Sequence, residues 1–197
     1  MARKSDLERE IVLTLLKDIS IDYNAGNIAK VLKKTRVGTF KALKSLEKKG
    51  IVKGKTLGKA TFYTLNLGDE YARKTAELYL IEESKKKQRW LEEFSELFKY
   101  TKTAILFGSI LRSEERANDI DLLLVFEQKN NHKINKFIEE KNQILAKKIH
   151  VVKQTEENFI NNLNKNDKVM LSALKDGVIL CGFEEFMGLM ENVRSKK

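Results

Sequence analysis

Residues Ala104–Phe126 read A-I-L-F-G-S-I-L-R-S-E-E-R-A-N-D-I-D-L-L-L-V-F. Ala104 to Phe107 is a short apolar run, long enough for a buried strand. Gly108-Ser109 breaks it, and glycine permits a turn or a close approach that a Cβ would block. A polar segment, Arg112 to Asn118, leads to Asp119-Ile120-Asp121, which opens a second apolar run ending at Phe126. Branched residues suit that run to an interior strand. Residues two apart on a strand share a face, so Asp119 and Asp121 should project side by side, roughly 7 Å apart along the chain.

Two carboxylates at the start of a buried strand repel each other, and burying them unpaired is expensive. A divalent cation removes both problems. Mg²⁺ prefers oxygen ligands and usually takes one or two carboxylates plus substrate phosphates. A Gly-Ser turn offers backbone N–H groups and a hydroxyl to phosphate oxygens. Asp-x-Asp alone reads equally as a solvated strand entrance. Gly-Ser on its own preceding strand favours the metal and phosphate reading.

Gly108-Ser109, nine residues, then Asp119-Ile120-Asp121 within apolar flanks resembles the signature of the DNA polymerase β-like nucleotidyltransferase superfamily. Arg112 and Asn118 look most like its minimal branch. The resemblance covers about residues 100–185. It implies transfer of a nucleoside monophosphate from an NTP to an acceptor hydroxyl. It also implies that Asp119 and Asp121 are catalytic and hold Mg²⁺, while Gly108, Ser109 and Arg112 bind the nucleotide triphosphate. The acceptor would be a protein or nucleic-acid hydroxyl. Because the minimal branch is often an antitoxin, a partner toxin protein is one such acceptor.

The family pattern has a third carboxylate on a later strand. The matching strand here, Lys148 to Val152, carries His150 at its centre. Glu127 shares parity with Asp121 but lies six residues on, roughly 20 Å away, too far to share a metal. A neutral His ligates a metal or acts as a base, without supplying a negative charge. His150 is therefore the third candidate ligand. The alternative is a regulator whose nucleotidyltransferase domain is degenerate and only binds nucleotide or dimerises.

The chain has 197 residues and a net charge of +10, and the distribution of that charge is uneven. Residues 1–67 hold fifteen Lys/Arg against six Asp/Glu. The remainder is nearly balanced, with twenty-three against twenty-two. Between Lys30 and Lys59 there are eleven basic residues and one acid, Glu47. Such a one-sided block suggests a polyanion partner. No apolar run is long enough for a membrane span, and the N-terminus lacks a signal-peptide core. One cysteine, Cys181, excludes an internal disulfide and any Cys-based zinc site. A cytoplasmic location is the expectation.

The basic third has its own pattern. Ser5 with Glu8 reads as a capping box opening a helix to about Asp18. A second helix is expected from Ala25 to Lys33, burying Ile28, Ala29 and Leu32. A third should run to Lys49, with Gly50 as its C′ residue and a buried stripe of Val37, Phe40, Leu43 and Leu46. Ile51–Leu57 and Ala60–Asn66 flank Gly58-Lys59, a hairpin signal. Three helices and a hairpin resemble the winged helix-turn-helix family over residues 5–67. That implies double-stranded DNA as partner, with the third helix in the major groove. Arg36, Lys41, Ser45, Lys48 and Lys49 on the helix, with Lys55 and Lys59 on the wing, are the DNA-binding candidates. Lysine outnumbers arginine here, which favours backbone contact over base reading.

The expected architecture is α+β. A winged helix-turn-helix domain spans residues 1–67, a helical connector 68–100, and a mixed α/β nucleotidyltransferase-like domain 101–197. Within the connector, Glu82 to Arg89 is charged all round, Trp90 to Tyr100 should pack on the second domain, and Tyr71 to Ile81 is a candidate homodimer seam. Further on, Ile134, Phe137, Ile138, Ile144 and Leu145 form one apolar helix face, and Phe159, Ile160 and Leu163 another.

Overall fold

The computed structural model describes residues 4–195, and its contacts divide the chain into two compact units, Met1–Tyr79 and Leu80–Lys197. The first unit contains α1 (Lys4–Lys17), β1 (Tyr23–Asn24), α2 (Ala25–Val31), α3 (Arg36–Lys48), β2 (Val52–Leu57) and β3 (Ala60–Leu65). Its strands form an antiparallel sheet in the order β1-β3-β2. Three helices with a hairpin wing make this the expected winged helix-turn-helix arrangement.

Local chemistry explains the breaks. Asn24 caps α2 by accepting from the Gly26 and Asn27 backbone N–H groups, and Asn27 returns a bond to complete a capping box. Lys33 adopts a left-handed φ of 53°, so α2 ends at Val31 and Leu32 is only half-buried. Thr35 caps α3. Gly50, at φ 74°, ends the run after α3 as expected. Gly58, at φ 60°, makes the tight turn that lets Leu57 pair with Ala60. Because α1 already includes Lys4, Ser5 lies inside its first turn rather than before it.

The buried stripe of α3 differs from the expected one. Thr39, Ala42, Leu43 and Leu46 are buried, packing in a unit whose core includes Ile11, Leu16, Ile28, Ile51 and Tyr63. Val37 and Phe40 are on the solvent side, 65% and 47% exposed. Two apolar stripes overlap on this helix. The small residues Thr39 and Ala42 mark the inner one, and they allow α3 to approach the core closely.

The division between units falls within α4 (Glu70–Lys85). Two short helices follow, α5 (Gln88–Glu93) and α6 (Ser95–Phe98). Trp90, Phe94 and Leu97 are buried in the core of the second unit, where Trp90 and Phe94 stack with ring centroids 5.9 Å apart. The remaining elements are β4 (Thr103–Phe107), β5 (Asp119–Val125), α7 (Asn131–Ile144), β6 (Lys148–Gln154), α8 (Glu156–Asn164), α9 (Lys168–Asp176), β7 (Val178–Cys181) and α10 (Phe183–Ser195).

The four strands form a mixed sheet in the order β6-β5-β4-β7. β5 runs antiparallel to β4 and parallel to β6. Ile120, Leu122 and Leu124 join Trp90, Phe94 and Ile134 on one side. Asp119 and Asp121 therefore share the other side with Leu123 and Val125. On that side α9 presses on β4: a Cβ on Gly177 would lie 2.6 Å from Ile105 Cγ2. Phe159, Ile160 and Leu163 are buried as expected. Ile144 is not; it ends α7 and is 75% exposed.

Candidate functional site

β5 begins at Asp119, so both aspartates sit at the entrance of a strand whose later residues, Leu122 to Val125, are fully buried. The antiparallel register pairs Phe107 with Asp121, which brings the strand end and the Gly108-Ser109 bend beside the carboxylates. Gly108 has φ 82°, and a Cβ there would stand 2.0 Å from Asp121 Oδ2. Only glycine fits, on both counts. Ser109 opens a 3₁₀ turn, Ser109–Leu111, and its carbonyl accepts from the Arg112 and Ser113 N–H groups. Arg112 is exposed at the end of that turn.

His150 comes from the neighbouring strand. The parallel register aligns Asp121 with His150, and His150 Nδ1 is 3.1 Å from Asp119 Oδ2. One ligand atom from each of Asp119, Asp121 and His150 lies within 4.8 Å of the others. His150 is 65% exposed and Asp119 31%, so the cluster opens to solvent. The Asp121 carboxyl is held above its usual range, first by burial and then by the Asp119 charge, with His150 acting in the opposite sense. That excess of confined negative charge, together with two oxygen donors and one imidazole nitrogen, fits a divalent cation.

Glu127 is engaged elsewhere. It pairs with Lys129, whose ammonium holds its carboxyl below the usual range. The polar segment between Ser109 and Asp119 is tied to the core, because Trp90 Nε1 donates to Glu114 and Arg89 pairs with the same carboxylate at 2.8 Å.

In the first unit, Arg36, Lys41 and Lys48 are exposed on α3, and Lys55 and Lys59 are exposed on the wing. Ser45 is half-buried. Lys49 is exposed, but its ammonium is 2.6 Å from Glu8, a carboxylate only 4% exposed. Lys49 thus neutralises a buried acid on α1. Three neighbours were missed from sequence. Periodicity places Val37 and Phe40 in the core, whereas both are exposed, and Lys44 stands 5.9 Å over the Phe40 ring while pairing with Glu47. Val37, Phe40 and Lys44 recur at i, i+3 and i+7, the same face as Lys41 and Lys48. That spacing was visible in the sequence beside the competing stripe.

A protein-family model described as "Nucleotidyltransferase domain" matches residues 87–178, just under half of the chain. No curated protein matches. Among solved structures, the adhesin competence repressor AdcR of Streptococcus pyogenes is 17% identical, covering 71% of this chain and 81% of that one, with a TM-score of 0.35. A mutant of Lactococcus lactis ZitR in its apo form is 19% identical, covering 71% and 83%, with a TM-score of 0.32. Likeness at that level carries no argument here. Residues 87–178 are thus similar to a nucleotidyltransferase domain.

Proposed function

We propose that this is a duplex-DNA-binding protein whose second unit binds a nucleoside triphosphate through a divalent cation and transfers its NMP to a hydroxyl. The observation that supports this most is the convergence of Asp119, Asp121 and His150 beside a bend that only glycine accommodates. Asp119 and Asp121 would hold Mg²⁺, with His150 as third ligand. The bound cation would supply charge neutralisation for the triphosphate and for the leaving pyrophosphate. Ser109 and the backbone of the bend would hold phosphate oxygens, and Arg112 would offset their remaining charge. Where Asp119 and Asp121 alone hold the cation, the lone pair of His150, exposed and oriented by Asp119, would instead take the proton from an attacking hydroxyl. The acceptor hydroxyl belongs to a protein, a partner toxin among them, or to a nucleic-acid end.

Incubating the full chain with α-phosphate-labelled NTPs, Mg²⁺ and mixed protein and short RNA acceptors tests transfer. Label should move to an acceptor, and Asp119→Asn should abolish it. Undiminished labelling by that variant defeats the assignment.

A second reading has its own support. An imidazole replaces the expected third carboxylate, so the domain would retain nucleotide without turnover and the chain would act as a transcriptional regulator. Saturable nucleotide binding with no label transferred to any acceptor selects this reading. In both, the exposed lysines of α3 and the wing meet DNA phosphates. Tyr71 and Leu78, exposed two turns apart on α4, support a homodimer seam.

A further inference from the structure

The exposed apolar pair on α3 has no role in phosphate binding. Val37 and Phe40 are one turn apart, and with Gly26, Lys59 and Thr61 they line an open cleft of about 430 Å³. Single exposed apolar residues are ordinary. Here two adjoin on one helix face, with Arg36, Lys41 and Lys48 exposed around them, while Lys44 over the Phe40 ring is neutralised by Glu47. A neutral lipid or a purely apolar protein surface would strand those charges. A surface whose rim is anionic and whose floor presents small apolar groups satisfies both.

The major groove of duplex DNA is such a surface. Phosphates line its walls, and the only apolar group on its base edges is the thymine C5-methyl. The rise between Val37 and Phe40 is about 4.5 Å, between one and two of the 3.4 Å base steps along one strand. The geometry points to Val37 and Phe40 as thymine-methyl readers, with the surrounding cations holding the flanking phosphates. This inference rests on the duplex-binding reading. It adds that the helix prefers thymine-bearing duplexes because of the methyl group itself.

The test compares full-length protein on equal-length alternating A·T and A·U duplexes, and on I·C and I·5-methyl-C duplexes, by fluorescence anisotropy at fixed salt. Removing the methyl from the A·T series should weaken binding, and adding it to the I·C series should strengthen it. The expected step is about fourfold for each methyl contacted, the effect of burying one such group. Val37→Ala with Phe40→Ala should erase both differences. Both side chains are solvent-facing, and circular dichroism of the double variant confirms that it folds. Equal affinity for methylated and methyl-free duplexes overturns this inference alone. A methyl effect that persists in the double variant overturns the assignment to these residues. Self-association that the double variant loses, without any methyl effect, assigns the face to a second copy and overturns it too. Absence of all duplex binding overturns both this inference and the DNA reading beneath it.

Discussion

Helix α3 and the β4–β5 connection carry the two candidate surfaces of this chain, and they are built in opposite ways. On α3 the functional candidates stand outside the packing. Leu43 and Leu46 are buried while Phe40, Lys41 and Lys48 face solvent. At the β4–β5 connection two of the candidates, Gly108 and Asp121, are part of the packing. Asp121 lies against Gly108 with no room for a Cβ, and its strand continues directly into the core. The first surface should therefore tolerate substitution without loss of fold. The second should not tolerate even a methyl group.

Gly108→Ala tests the second half of that contrast and should have the largest effect. The added Cβ must displace the Asp121 carboxylate, at a backbone angle L-residues rarely adopt. We expect divalent-cation and nucleotide binding to fall by about a hundredfold or more, as misplacement of a site group does, and stability to fall by about 1–3 kcal/mol. Titration calorimetry and urea denaturation measure the two. Binding within a few-fold of the parent would show that the close approach has no functional purpose.

On α3 the contrast is internal. Leu43→Ala should cost about 2–5 kcal/mol of stability, and Phe40→Ala within about 0.5 kcal/mol of nothing. Equal losses in urea denaturation would return Phe40 to the core. A smaller effect separates the lysines. Lys41→Ala should lower the salt slope of duplex binding by about one contact's worth. Lys49→Ala should instead lower stability, because it leaves buried Glu8 without its counter-charge.

The smallest expected effect has an unusual sign. Asp121 has a folded-state pKa above its ordinary value, so its charged form is disfavoured by folding. That penalty is present above the folded pKa and is relieved as pH falls through it. Asp121→Asn should therefore raise the melting temperature at pH 7 by about 2 °C, a modest change because the site is partly solvated. The gain should shrink as pH falls through that raised value. A lower melting temperature at pH 7 would mean that the charged carboxylate is stabilising.

The sequence was most legible where chemistry constrained it most. That Gly108, Asp119 and Asp121 adjoin was readable because strand parity and one glycine leave few arrangements, whereas attention fell on His150 because the nucleotidyltransferase-like pattern has a third carboxylate on that strand. The winged arrangement was readable from caps and turns: Asn24, Thr35, Gly50 and Gly58 each mark a boundary chemically. The rotation of α3 was not. Val37, Phe40, Leu43 and Leu46 form a regular stripe, and only packing against α1, α2 and β2 selects Thr39 and Ala42 instead. Nor was the fate of Lys49, whose partner Glu8 is forty-one residues away in sequence. Ile144 fits an apolar helix face but ends its helix beyond the packing. Periodicity identifies a helix face; tertiary contacts decide which face is covered.

Calorimetric titration of Mg²⁺-ATP, then of the other three nucleotides, into the full chain and into Asp121→Asn measures the proposed site most directly. The account predicts saturable binding of at least one nucleotide, dependent on the cation and lost in the variant. Absence of binding by every nucleotide, or equal binding by the variant, would contradict it.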